Sequence, residues 1–382
     1  MYKKFPYETV VDPASVDIDA SLLKKIENEF LRQQHKGDFP GGQLVVRRKG
    51  KLVLKISCGV IRNSEPTVQV EETTPFPVYS TGKPMAAITI AMLESQGLID
   101  VNSRIVDILP EFEGKGRDNI TIRDVLTHRA GILLPELIHN HKLWAKRDEV
   151  WQFLLDRAPR YPRGTFAYMP GEYGIILDRI VSDITGRTLA DFFQQELAAP
   201  LGLNNMQYGL GRHSKKDIAW SSWLGKERCI IAGMNVADGF EEKNNDDAVF
   251  ASANPAFSMV TDAANLAAFY ELLIRDGVTR TGNQLIPEHI IKKYTTKQTS
   301  GWNKSVNAYL SLGYGFMLGS IGPSPYGWWN TGDSFGHAGI FSSLAYGNYK
   351  TGISAAIVTN GNKSITDFFS RFVKLTNILR KA

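Results

Sequence analysis

The chain has only two cysteines, Cys58 and Cys229, and they lie far apart in its 382 residues. Such a pair builds no disulfide framework, and no C-x-x-C spacing offers a metal knuckle. Cys58 sits in an apolar, strand-like run and reads as a buried thiol. No stretch approaches 18 unbroken apolar residues, so nothing reads as a spanning helix. The basic start, Met1-Tyr2-Lys3-Lys4-Phe5-Pro6-Tyr7-Glu8, is not followed by the apolar run of a secretory leader, and a cytoplasmic location is the expectation. Excess charge of one sign is scarce too. Lys and Arg number 44 against 39 Asp and Glu, a net +5, and the basic residues are scattered. That pattern is no nucleic-acid tail. His139 and His141, two apart, share no helix face and have no suitably spaced acid, so no metal is expected.

What is present is an ordinary globular balance, 43% apolar and 22% charged. The length allows two domains, or one with a large insertion. Asp19 to Gln34 reads as an amphipathic helix, with Leu22, Leu23, Ile26, Phe30 and Leu31 on one side. Gly41 to Arg48 and Lys51 to Cys58 read as strands joined at Lys49-Gly50. Helices are expected from the Ser80 segment to Gly97, over Ile120 to Leu126 with a cap at Thr121, over Glu172 to Thr185, and over Asp262 to Arg275. Lys215 to Asp247 is charged and irregular, and reads as a long loop over a site, either a lid or a partner surface. Ile340 to Tyr346 and Gly352 to Thr359 read as strands, and Ile365 to Lys381 as a closing helix. Strands at both ends with helices between imply an α/β unit built from both termini, with a mainly helical region inserted. No internal repeat or low-complexity tract interrupts this plan.

Three short motifs carry chemistry. The first is Val78-Tyr79-Ser80-Thr81-Gly82-Lys83-Pro84, an S-x-x-K at the mouth of an apolar helix. Residues three apart share a helix face, with Cβ atoms about 5–6 Å apart. A serine hydroxyl needs a base to take its proton, and a partly desolvated lysine one turn away can supply it. The helix N-terminus adds positive potential beside a developing oxyanion. Pro84 suits the first turn. By itself the spacing is common, and an N-cap serine with a solvated lysine is the plain alternative. The second motif is Phe166-Ala167-Tyr168-Met169-Pro170 after Pro162-Arg163-Gly164-Thr165. A tyrosine beside cationic groups loses its proton more easily, so Tyr168 can serve as base toward Ser80 and acid toward a leaving group. The third is Gly336-His337-Ala338-Gly339-Ile340, read as the mouth of a strand. Its small residues would let a substrate carbonyl approach the backbone. The N–H groups of Ser80 and Ile340 can form an oxyanion hole. His337 can orient Tyr168.

Taken in order, these motifs resemble the serine β-lactamase-like superfamily, most nearly its class C-type branch with the family VIII carboxylesterases. The resemblance runs from about Phe39 to the end. It includes Phe39-Pro40-Gly41-Gly42, the run Thr121-Ile122-Arg123-Asp124-Val125-Leu126-Thr127-His128 with Ala130-Gly131, Pro200-Leu201-Gly202-Leu203, Leu312-Gly313-Tyr314-Gly315-Phe316 and Asn360-Gly361. It implies an α/β (α+β) β-lactamase/transpeptidase-like fold: an antiparallel sheet flanked by the N- and C-terminal helices, with an inserted, mainly helical domain. Residues 1–79 with 300–382 would form the first domain and 80–299 the second, with the active site at their interface. It implies Ser80 as the acylated serine, Lys83 as the lysine beside it, Tyr168 as the first residue of a Y-x-N motif, and His337 in the place of the lysine of K-T-G, with Tyr168 and Lys83 together taking the Ser80 proton. Ile340 would give the second oxyanion amide, and His128 would pack a helix end. The chain's own Lys350-Thr351-Gly352 lies in a hairpin turn with too few strands after it, and is set aside. Ala338, Gly339, Tyr314, Trp328 and Trp329 are candidates to bind substrate, the aromatics together with Trp302 lining a pocket or simply covering the core.

Two departures bear on activity. Pro170 stands where the motif has asparagine, and its side chain offers no hydrogen bond. His337 gives no fixed positive charge unless protonated. Both weigh against an efficient β-lactamase and leave acyl-enzyme chemistry intact. The expectation is a cofactor-free serine hydrolase of short-chain esters acting on a small-molecule substrate. The alternatives are an acyltransferase, a D-amino-acid peptidase or amidase, a weak β-lactamase, or a catalytically silent penicillin-binding-like module.

Overall fold

The structure is a computed structural model that describes residues 8–231, 234–320, 324–329, 332–340 and 342–382. The leader reading at Met1–Tyr7, Phe341 of the expected strand, and the side chain of His139 lie outside the described residues.

An eight-stranded sheet organises the molecule. Its strands are β1 (Gly41–Arg48), β2 (Lys51–Gly59), β3 (Thr299–Asn303), β4 (Ala308–Leu312), β5 (Met317–Leu318), β6 (Ser334–Gly339), β7 (Ser343–Asn348) and β8 (Ile353–Thr359). Their order is β2-β1-β8-β7-β6-β5-β4-β3, and every neighbour is antiparallel. The first and last of these strands in chain order therefore pair inside the sheet, β1 against β8, one strand in from its β2 edge. Lys49 and Gly50 both take positive φ, 49° and 78°, as the tight β1–β2 turn requires. Cys58 is half-buried in β2, and burial pushes its thiol up to about 12.

Side-chain alternation divides the sheet into two faces. Leu44, Val46, Leu344, Tyr346, Ala355 and Ile357 point to one face and share a core with helix α1 (Ala20–His35) and the terminal helix α6 (Ile365–Leu379). Val45, Ala345, Ala356 and Val358 point to the other, into the larger core that joins the sheet to the remaining helices. Helix α5 (Ala263–Ile274) lies directly on that second face, capped by Asp262. Helix α2 (Lys83–Ser95) is buried without interruption from Lys83 to Leu93, which suits a helix that is apolar all round. Helix α3 (Ile122–Leu126) opens on a capping box between Thr121 and Asp124. Helix α4 (Glu172–Thr185) runs as the spacing predicts and ends on Gly186 with φ 69°.

The third motif sits differently from the expectation. His337, Ala338 and Gly339 lie inside and at the end of β6, and Ile340 falls in the turn before β7. The strand begins at Ser334, which pairs with Asn348, and within it Gly336 passes β7 so closely that a Cβ would lie 2.2 Å from Ala345 O. The irregular region Lys215 to Asp247 holds short pieces that lack readable periodicity. Ser222–Trp223 pairs parallel with Gly361–Asn362, Ile230–Ile231 pairs with Met234–Asn235, and Phe240–Asn244 is helical.

Ile357 is 1% exposed at the centre of the sheet, between terminal helices and strands. Ile357→Ala is expected to lower stability by roughly 2–5 kcal/mol. A chemical denaturation midpoint unchanged from wild type would show that the two-layer packing does not support the fold.

Candidate active site

Ser80 lies in a 3-10 turn, Tyr79–Gly82, that leads directly into α2. The preceding residue, Tyr79, is held at φ 51°, a conformation costly for a bulky side chain. Its surroundings enforce it. The Tyr79 hydroxyl bonds Ser221 Oγ, and the ring packs on Phe240. Met259 O accepts from Val78 N at 3.0 Å, and Tyr208 OH donates to Gly82 O at 2.9 Å. The serine turn is thus fixed from both sides.

Lys83 is 0% exposed. Its Nζ lies 2.9 Å from Pro170 O, 2.9 Å from Ala256 O and 3.2 Å from Ser80 Oγ. Burial pulls the amine down to about 7, with the Glu172 carboxylate acting in the opposite direction. A neutral amine has two hydrogens and one lone pair. The two carbonyls can only accept, so they take the hydrogens and leave the lone pair toward Ser80. The Tyr168 and Tyr173 rings stand 5.0 and 5.6 Å from Nζ.

Tyr168 is buried, and its phenol hydrogen-bonds Ser80. The expectation of an easily ionised tyrosine is corrected here. Burial holds the phenol above its ordinary value, the bond to Ser80 only partly offsets this, and Glu172 adds to it. The neutral phenol is the resting form because a buried phenolate would lack solvation. Its backbone is clamped from two elements. Asn303 Oδ1 accepts from Tyr168 N at 3.1 Å, and Ser305 Oγ donates to Tyr168 O at 3.0 Å. His128 follows α3 at φ 56°, accepts from Met169 N through Nδ1 at 3.1 Å, and stacks its ring 4.4 Å from Tyr168. It therefore packs against the site tyrosine as well as a helix end.

His337 shares its sheet face with Ala345, its partner on β7, and so faces the helices. Its Nδ1 lies 2.7 Å from Ala338 O, a carbonyl that can only accept, so Nδ1 carries the hydrogen. Burial, then the charge on Lys83, pulls the ring down to about 3. His337 is neutral at ordinary pH, and its ring centre is 6.1 Å from that of Tyr168. Alternation sends Ala338 the other way, into the core under the terminal helices. Gly339 serves the protein's own packing. A Cβ there would sit 2.1 Å from Val78 O and 2.2 Å from Ser343 Oγ. Ser343 Oγ in turn bonds Val78 O at 2.8 Å and Thr81 Oγ1 at 2.9 Å. The end of β6 is thereby docked on the serine turn, which brings Ile340 and Ser80 to one cavity wall.

That cavity has a volume of about 200 Å³. Leu133, Leu134, Trp144, Pro170, Phe240 and Phe257 give it an apolar lining, and Trp144 meets Phe257 edge-on at 4.9 Å. Asn235, Val236, Asp238, Lys243 and Asn244 complete one wall, so the irregular region does stand over the site. The aromatics singled out near the third motif are not in this lining. Trp328 and Trp329 are 46% and 64% exposed, with Trp328 N bonded to Asn377 on α6. Tyr314 is buried against Tyr294, and Trp302 is exposed. Neither Ala338 nor Gly339 lines the cavity. Sequence reading missed Trp144, Phe257, Glu172 and Asn303. A carboxyl at the first helical turn directly after Pro170-Gly171 was the one available signal, and it reads equally as a helix-start acid.

The beta-lactamase family profile matches residues 25–379. The chain belongs to the beta-lactamase family. It is a serine hydrolase of the β-lactamase/penicillin-binding-protein fold. One relative in this family, the esterase/beta-lactamase LipL of Mycobacterium tuberculosis, is 24% identical over 90% of this chain and 83% of its own. A penicillin-binding protein homolog from Caulobacter crescentus superposes with TM-score 0.82 at 23% identity, covering 95% of this chain and 98% of that one. A family VIII carboxylesterase does so with TM-score 0.79 at 21% identity, covering 94% and 98%.

Gly339→Ala is expected to separate β6 from the serine turn. Labelling of Ser80 by a serine-directed fluorophosphonate should slow roughly hundred-fold, the cost of misplacing a site by about an ångström. Labelling at the wild-type rate would show that this close approach does not align the site.

Proposed function

We propose that this chain hydrolyses short-chain esters of small molecules through an acyl-enzyme on Ser80. The observation that carries the reading is the buried Lys83 amine, its hydrogens held by Pro170 O and Ala256 O and its remaining position 3.2 Å from Ser80 Oγ. Lys83 takes the Ser80 proton as Oγ attacks the ester carbonyl. The oxyanion sits between the N–H groups of Ser80 and Ile340. As the tetrahedral intermediate collapses, the Tyr168 phenol gives its proton to the departing alkoxide and is reprotonated from the Lys83 ammonium. Water then attacks the acyl-serine, its proton passing back through the same pair, and the acid leaves. The alcohol leaves with the proton that began on Ser80, and the attacking water returns one to Ser80 Oγ, so Lys83 and Tyr168 end the cycle as they began it.

Ester preference over lactams rests on three features. The side chain at 170 is a proline, His337 is neutral, and the cavity is small with an apolar side formed by Leu133, Leu134, Trp144 and Phe257. A β-lactam's amide side chain and carboxylate would find no side-chain amide at 170 and no fixed charge at 337. LipL is named as an esterase and a beta-lactamase, and one structural neighbour is a carboxylesterase, which accords with ester chemistry on this scaffold. Among the described residues no helix is long and apolar enough to cross a membrane.

The test is hydrolysis of p-nitrophenyl acetate and butyrate beside a chromogenic cephalosporin. Wild type should turn over the esters, and Ser80→Ala should lose at least about three orders of magnitude in kcat. Cephalosporin turnover matching the esters would overturn the substrate assignment. The rate also carries a pH sign. The base is the neutral amine, so kcat/KM should rise with pH to a plateau above about 7 and fall about tenfold per unit below it. Stability should follow the same group. Lys83 binds its proton more weakly folded, about 7, than unfolded, 10.5, so the unfolded chain holds the extra proton between those values. Stability therefore gains a rising slope with pH across that window. Lys83→Met should abolish turnover and remove that slope; a slope identical to wild type in denaturation series would refute the depressed amine.

A further inference from the structure

Glu172 is a buried carboxyl that the steps above do not use. It stands at the first residue of α4 and reaches the same cavity as Ser80. Its two oxygens are fixed separately. Leu134 N donates to Oε1 at 2.6 Å, and Gly171 N donates to Oε2 at 3.2 Å. The second bond matters most, because Gly171 N belongs to the peptide group whose carbonyl is Pro170 O. That oxygen accepts from Lys83 Nζ at 2.9 Å. One peptide unit therefore joins the two groups, its oxygen end on the amine and its N–H end on the carboxylate. Its dipole is oriented by both, and hydrogen bonds in such a chain strengthen one another.

Burial raises the Glu172 carboxyl above its ordinary value, while the N–H groups of Leu134 and Gly171 and the charge on Lys83 act the other way. Both oxygens accept from an N–H, which is the pattern an ionised carboxylate satisfies. A lysine buried without compensation becomes too weak a base to accept a serine proton. Around Nζ stand the neutral Tyr168 and Tyr173, and His128 and His337, whose charges would oppose its own. Among the described groups that act on Lys83, Glu172 favours the ammonium. Gly171 cannot be exchanged, since a Cβ would sit 2.4 Å from Trp144 Cη2, so the peptide's path is fixed.

We propose that Glu172 is a positioning residue for Lys83: through the Pro170–Gly171 peptide its carboxylate aims the Lys83 amine at Ser80 Oγ and keeps that amine basic enough to take the serine proton. The inference rests on reading Lys83 as the base.

The experiment titrates Lys83 directly, without substrate. Protein labelled with 13Cε-lysine is followed by NMR against pH, and the Lys83 resonance is identified by its loss in Lys83→Met. Glu172→Gln is expected to move the Lys83 midpoint down by on the order of one pH unit, the effect of removing one opposite charge from the far side of a single peptide unit. Glu172→Asp, which keeps the charge, should stay close to wild type. An unmoved midpoint in Glu172→Gln, or an equal displacement in both variants, would overturn the proposal and leave Glu172 a structural clasp. Should Glu172→Gln not fold, wild type labelled at Glu 13Cδ decides: the Glu172 resonance should step at the Lys83 midpoint, and a flat trace there would overturn it. Ester turnover plays no part in these readings. Failure of Ser80 to hydrolyse esters would remove the proposed substrate, whereas an immobile Lys83 midpoint would remove the role of Glu172.

Discussion

The burial of one amine governs the site. Lys83 has no exposed surface, and a fully charged ammonium in that position would have to be balanced locally. The protein balances it only in part, with two carbonyls, a serine hydroxyl and the carboxylate of Glu172 beyond one peptide. The result is an amine held at about 7 rather than at its solution value. The same burial keeps Tyr168 a phenol and His337 a neutral ring. Three groups that would each carry their usual charge state in water are thereby assigned different duties by a shared dry environment.

That environment exists because two separately built pieces close on each other. The serine turn sits at the end of a helix buried on every side, and β6 ends against it. The contact is backbone to backbone at Gly339 and Val78, tightened by Ser343. A side chain at 339 would hold the pieces apart. The glycine in this motif is thus required by the protein's own closure rather than by the approach of a substrate.

The cavity wall tells a similar story about specificity. Residues of the irregular region, among them Asn235, Asp238 and Phe240, line one cavity with Ser80, Trp144 and Phe257. Phe240 also braces Tyr79, the strained residue beside the serine. Phe240 therefore both lines the cavity and supports the turn that carries Ser80.

The sequence by itself determined the long elements. Periodicity placed α1, α4, α5, β1 and β2 within a residue or two, because each buries one repeating face. The motifs, with the family resemblance they carry, singled out Ser80, Lys83, Tyr168 and His337, which the fold brings into one cluster. What it did not determine was anything set by contact between distant segments. The start of β6 is set by its pairing with β7, which runs from Ser334 opposite Asn348, and the two-residue strands near Trp223 and Asn235 have no period to read. The pocket aromatics come from Trp144 and Phe257, while Trp328 and Trp329, adjacent to the motif in sequence, turn outward. Charge states were undetermined for the same reason. Nearness to cationic groups suggested an ionised Tyr168, but solvation is a property of the folded interior, and only the tertiary structure decided that burial outweighs those neighbours and makes Lys83 the group that gives up its charge.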